Sequence, residues 1–451
     1  MRGASRINPR PTYAVRTWGL LLALALAGTA RAQAAESSAP SELTLEQALA
    51  MARHANASLI VERARLKQAQ VNLEQAWTVL FPTVTAQGKY SRNNAKFEFP
   101  SMTGAQADTL TIQPKNQLDG VISFSTLLFA PAVYPGLQAI KSNVVAAEAN
   151  RDASEDGVLF ATAQSFYASA IADEVLVARS SNIDVTRATL KIAQTRFESG
   201  AVTKVDVDRA QMAVLAAEQA KREAELAREQ SYRALSTLIG ATAPFHVTPP
   251  PGAGPDAASA AGVGRDFDLV LRLRPEFRAA EAVGKADDLT RQADAWRWAP
   301  SLSAFGNARI FNYKNFARDS HSWVIGATLD WVIYDGGNRD AQRHLATAQK
   351  EEALARAEVL RENIRDDLAN GRSQLVTRRQ AQETAERSVE LARETLELVR
   401  TQYEAGNAIE VDLLQAQDSL VAAQESLAQA HLGVAIADLT LRRAAGAFPG
   451  K

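Results

Sequence analysis

TRFESGAVTKVDVDRAQ (residues 195–211) and TQYEAGNAIEVDLLQAQ (residues 401–417) are one pattern written twice, at a constant offset of 206 residues. In each copy an aromatic residue and an acid lead to a glycine, Phe197-Glu198-Ser199-Gly200 against Tyr403-Glu404-Ala405-Gly406. Each glycine is followed by an apolar-Asp-apolar triplet, Val205-Asp206-Val207 and Val411-Asp412-Leu413. Further upstream, Leu80-Phe81-Pro82-Thr83-Val84 matches Trp298-Ala299-Pro300-Ser301-Leu302 at an offset of 218, and a longer loop in the first copy, about 94–116, absorbs the difference. The chain is therefore read as an internal duplication, each half running helix, strand, loop, strand, long helix, turn, helix. The first repeat spans 33–240 and the second 265–451, joined by a Pro/Gly/Ala-rich stretch over 241–264 that lacks apolar periodicity and reads as a surface linker.

Outward from the glycines the helices come into view. Ala385, Val389, Ala392, Leu396, Val399 and Tyr403 are spaced 4-3-4-3-4, and Ile183, Thr186, Leu190, Ala193 and Phe197 occupy equivalent places in the first half. That is a heptad seam, the mark of helices packed side by side. From about 132 to 200 and from about 338 to 406 only Gly157 and Gly371 interrupt helix formers, so each helix should reach on the order of 100 Å at ~1.5 Å per residue. The flanking helices, about 43–80, 203–239, 266–298 and 409–445, are each about half as long. Two of them end to end match one long helix, a plan for a rod or a tube.

Four segments alternate with a period of two instead. Val84, Ala86, Gly88 and Tyr90 form an apolar set against Thr83, Thr85, Gln87 and Lys89. Leu118, Gly120, Ile122 and Phe124 do so against Asp119, Ser123 and Ser125. Leu302, Ala304, Gly306, Ala308 and Ile310 form a third apolar set, whose polar counterpart is interrupted by Phe305 and Phe311. Trp323, Ile325, Ala327, Leu329, Trp331 and Ile333 form the fourth. Strands of this length and alternation suit a membrane barrel, apolar toward lipid and polar toward a lumen; an ordinary half-buried hairpin alternates in the same way. Four strands cannot close a barrel, and an open edge in lipid leaves backbone groups unpaired. If these strands span a membrane, the chain must associate with copies of itself.

The first 32 residues read as a secretory leader: Arg2, Arg6, Arg10 and Arg16 precede the apolar run Leu20–Ala27, and Ala30-Arg31-Ala32 offers a small-x-small cleavage site. Without the leader, 45 basic against 51 acidic residues leave a net charge of about −6, which argues against a nucleic-acid partner. The absence of cysteine excludes disulfides, thiolate metal sites and a lipidated N-terminal cysteine. His54, His246, His321, His344 and His431 are scattered without metal-ligand spacing, and neither a nucleophile elbow nor a phosphate-binding loop is present. The composition thus points to no enzyme and no cofactor.

With these residues in place the sequence resembles the TolC-like outer membrane efflux proteins over nearly the whole mature chain. The most specific marks are the two glycine-turn signatures and the strand-to-helix phrase Ile333-Tyr334-Asp335-Gly336-Gly337-Asn338-Arg339; its first-half counterpart, Leu128–Tyr134, is divergent. The resemblance implies a mainly α fold with a β membrane portion. Long-helix hairpins would form an α-barrel, and two β-hairpins per chain would give four strands to a homotrimeric outer-membrane β-barrel. It further implies an exit duct for efflux or type I secretion, working with a periplasmic adaptor and an inner-membrane RND or ABC transporter. The turns at Gly200, Ala201 and Val202 and at Gly406, Asn407 and Ala408 would be the adaptor-docking tips. Asp206 and Asp412, which the residues alone would read as early-turn helix acids, would by this resemblance line the periplasmic constriction. Gln415 and Arg209 stand where a further aspartate is sometimes found, implying a weaker ring partly neutralised by Arg209. The tips should also differ in surface charge, Thr203-Lys204 against Ile409-Glu410. The competing reading is a periplasmic coiled-coil adaptor that bridges export components without a pore.

Overall fold

The computed structural model describes residues 42–100, 109–248, 266–313 and 319–448; the leader and most of the 241–264 stretch lie outside them. In chain order the first half contains β1 (Glu42–Leu43), α1 (Leu45–Ala55), α2 (Ala57–Trp77), β2 (Thr83–Arg92), β3 (Phe97–Pro100), β4 (Thr109–Gln113), β5 (Asn116–Phe129), α3 (Val133–Glu198) and α4 (Lys204–Ile239). After β6 (His246–Val247) the second half contains α5 (Phe267–Leu273), α6 (Pro275–Trp296), β7 (Ser301–Phe311), β8 (His321–Asp330), α7 (Asn338–Glu404) and α8 (Glu410–Ala444).

The long helices α3 and α7 run 66 and 67 residues, and both pass unbroken through their internal glycines. Gly371 is a packing position: a Cβ there would lie 3.3 Å from the Cα of Leu441 on α8. Helices α2 and α4 lie along α3, and α6 and α8 lie along α7, while α6 and α8 also contact α3. The expected single helices at 43–80 and 266–298 are instead each two. The Asn56 side chain stops α1, accepting from the Ser58 N–H at 2.9 Å and donating to the Leu238 carbonyl at 3.0 Å. In the second half Pro275 opens α6; it has no N–H to donate to a preceding turn, so α5 ends there.

These breaks mark the middle of the molecule, where two apolar cores form. Leu159 and Phe166 of α3 pack with Leu49, Leu235, Ile239 and Phe245, and Ile364, Leu368 and Leu375 of α7 pack with Val270, Val434 and Leu441. Elsewhere the seams are built mainly of alanine, such as Ala139, Ala146, Ala193 and Ala210, which lets helices approach closely. Phe245 and Val247 are buried, and β6 pairs in parallel with β1. The first residues of the 241–264 stretch therefore belong to the core and are not surface linker; Ala241, Phe245 and Val247 sufficed, with no periodicity to announce them.

Arg274, at the second break, is buried. Its Nη1 donates to the Arg443 and Ala444 carbonyls at 3.3 and 3.2 Å, and it forms ion pairs with Asp367 at 3.3 Å and Glu276 at 3.4 Å. Arg274→Ala should cost about 3 kcal/mol, because it strips donors from the carbonyl end of α8 and leaves buried acceptors unmet. A thermal melt of the variant beside wild type reads the loss directly.

The membrane-type strands form one antiparallel sheet in the order β2-β5-β7-β8. Its register aligns Val84 with Phe124, Ile122 with Ala308, Gly306 with Ile325 and Ala308 with Trp323. All of these lie on one face, which is mostly apolar and well exposed, with Thr126 and His321 among its polar members: Ile325 is 77% exposed, Trp323 73% and Val84 67%. The other face carries Asp119, buried and ion-paired with Arg309 at 2.9 Å, and a Thr83–Ser125 hydroxyl pair at 2.7 Å. Phe305 departs from that polar set because it stands opposite Gly326, where its ring fills the space of a missing side chain. The 94–116 stretch, expected to be a plain loop, carries the β3–β4 hairpin. Trp331 and Ile333 lie just beyond β8, not within it.

Candidate functional site at the helical hairpin tips

Gly200 and Gly406 end the long helices with φ of +72° and +83°, a conformation that glycine adopts without penalty. Both turns close by the same pair of bonds. The Ala201 N–H donates to the Arg196 carbonyl and that of Gly200 to Phe197, as Asn407 does to Gln402 and Gly406 to Tyr403. Gly200, Ala201, Gly406 and Asn407 are exposed, with Val202 and Ala408 half-buried. Beside them, Val205, Ile409 and Val411 present apolar side chains to the surface.

The starts of α4 and α8 differ in chemistry. At α4, Asp206 Oδ2 accepts from the Thr203 N–H at 2.9 Å and from its hydroxyl at 2.8 Å. Those bonds hold the Asp206 carboxyl below its ordinary range, and the nearby Arg209 guanidinium adds to the effect. Arg209 itself is exposed, 3.8 Å from Asp206, and an exposed pair of this kind is weak. At α8 the capping position is Ile409, which has no side-chain acceptor, and Asp412 projects into solvent. Gln415 is also exposed.

The two tips touch. Arg196 Nη1 donates to the Tyr403 carbonyl at 2.9 Å, and its guanidinium lies 4.8 Å from the centre of the Tyr403 ring. Deeper along the same seam, the buried Gln417 donates to the buried Thr189 hydroxyl at 2.7 Å, and Arg179 pairs with Glu425. These residues fasten α3 to α8 and escaped the sequence reading, as did the placement of Glu410. Glu410 was expected on the tip surface but is 3% exposed. It shares the buried stripe of Leu413, Ala416, Gln417 and Val421, a heptad spacing in which two polar side chains occupy core positions. The difference in surface charge between the tips is smaller than expected for that reason.

A four-stranded sheet with one apolar face and two open edges, joined to helical hairpins about 100 Å long, defines a membrane-barrel subunit with a tunnel-forming extension. Residues 48–241 and 267–447 match the outer membrane efflux protein family, and the chain belongs to that family. It is 24% identical over 412 residues to the outer membrane efflux protein BepC of Brucella suis, covering 89% of this chain and 85% of that protein. Its fold matches the outer-membrane channel OprN (TM-score 0.75, 20% identity, 89% of this chain and 90% of that chain). It also matches the outer membrane protein VceC of Vibrio cholerae (TM-score 0.74, 19% identity, 90% and 96%). The protein is an outer-membrane exit duct with a periplasmic extension, and its family and fold are those of channels rather than enzymes or pore-less adaptors.

Proposed function

We propose that three copies of this chain close a twelve-stranded barrel through the free edges of β2 and β8, and that their hairpin tips surround the periplasmic entrance of the tunnel. The observation that carries this reading is the sheet itself. An apolar face meant for lipid cannot coexist with unpaired edges, each unsatisfied backbone group there costing several kcal/mol. In this reading 33–240 and 265–451 act as equivalent structural repeats, so six hairpins alternate around the ring. The exposed turns at Gly200–Val202 and Gly406–Ala408, with Val205 and Ile409 beside them, dock the helical tip of a periplasmic adaptor. An inner-membrane transporter of the RND or ABC type supplies the energy for cargo that the duct conducts passively.

Asp206 and Asp412, three copies each, would place six carboxylates around the opening and favour cations. The cap on Asp206 and its Arg209 neighbour make Asp412 the stronger contributor. In planar-bilayer recordings, Asp206→Ala/Asp412→Ala channels should lose most of their cation preference and their block by multivalent cations, with Asp412→Ala alone accounting for the larger share. Unchanged selectivity and block in the double variant would remove these residues from the entrance.

A further inference from the structure

Glu410 is an anomaly at the tip. Its carboxyl lies where α8 begins, 3% exposed, and neither oxygen has a hydrogen-bond partner among the described residues. The Tyr403 hydroxyl of α7 is likewise buried, close to the Arg196 guanidinium. Asp206 and Arg209 face Glu410 from α4, Tyr403 from α7, and Arg196 of α3 lies over the Tyr403 ring. Among the described residues, Arg209 is the cation that acts on the carboxyl, and it also serves Asp206. A neighbouring subunit cannot reach oxygens that this subunit already covers. A buried carboxylate without donors is far more costly than the same group as a neutral carboxylic acid.

We propose that Glu410 is the proton-controlled pin of the entrance: protonated, it lets the two hairpin tips of a subunit pack together, and ionised, it drives them apart. This rests on the reading that the tips surround the entrance. Burial, reinforced by Asp206 and opposed by Arg209, pushes the Glu410 carboxyl up to about 7 in the packed tip. Once the tips part, the carboxyl meets water and regains an ordinary value near 4.5. The sign follows from linkage. A group whose value is raised in the packed state leaves that state unpenalised below pH 4.5, and the penalty grows until it is complete above about 7. Acid therefore holds the tips together, and a rise through neutrality loosens them in all three subunits.

The experiment is single-channel recording of the full-length protein in planar bilayers at about pH 5 and about pH 8, where the wild-type open probability should rise by roughly tenfold or more. Glu410→Gln, a permanently uncharged isostere, should remain at the low, acid level at both values. Asp418→Asn, removing an exposed acid of the same helix, should retain the full rise. A flat wild-type profile overturns the proposal without reference to any variant, and so does a rise that survives in Glu410→Gln. If Asp206→Ala/Asp412→Ala leaves selectivity unchanged, the placement of the tips at the entrance fails. If selectivity changes but the pH response persists in Glu410→Gln, only the role of Glu410 fails.

Discussion

Ile325→Arg is expected to abolish the assembled channel. Ile325 lies at the centre of β8, 77% exposed on the apolar face of the sheet and in register with Gly306 of β7. An arginine at the bilayer midplane of a barrel costs roughly 2–4 kcal/mol, and the penalty recurs in every copy around the ring. Because β8 is also an edge strand, the same substitution strikes the surface through which neighbours must pair. Heat-modifiable oligomer on semi-native gels of outer membranes should fall below detection. Thr328→Arg on the same strand points to the opposite, polar face and should assemble close to the wild-type level. Equal assembly of the two variants would mean that the face taken as lipid-facing is not.

The second large effect is expected at the middle of the tunnel. Gly446 and Gly240 occupy corresponding places at the ends of α8 and α4, with φ of +69° and +67°. A Cβ at Gly446 would lie 2.7 Å from the Leu273 Cβ and 3.1 Å from the Leu273 carbonyl carbon; at Gly240 it would lie 2.8 Å from the Ala55 Cβ. Gly446→Val combines a left-handed backbone unsuited to a branched side chain with a collision against backbone, for a cost of about 3 kcal/mol. The thermal midpoint of the protein in detergent should drop by several degrees, and Gly240→Val should behave alike. A melting curve superimposable on wild type would show that the junction can yield.

These two glycines also show how far the sequence could be read. The offsets of 206 and 218 residues that relate the halves reappear in the structure: Gly240 meets Ala55 as Gly446 meets Leu273. Repeats, seams and strand alternation survive in sequence because each is a periodic demand made over many residues. The four strands and both long helices were legible for that reason. The break at Asn56 was not, because it is held by a side chain whose partner, the Leu238 carbonyl, is far away in the chain; the break before Pro275 rests on one proline inside an otherwise helical run. At the tips, the glycine turns were legible from local chemistry. The state of Glu410 was not, since its neighbours come from α4 and α7 and its charge depends on burial by both. The heptad stripe through Glu410, Leu413 and Gln417 held the available clue, a polar residue at a core position.

A closed barrel requires that the open sheet of one chain be completed by other copies, two of them in the arrangement proposed above. Native mass spectrometry of the protein extracted in mild detergent from outer membranes tests it most directly. The expected result is an assembly of three copies that resists carbonate washing and dissociates to single chains on heating. A single chain released by carbonate without detergent would contradict it.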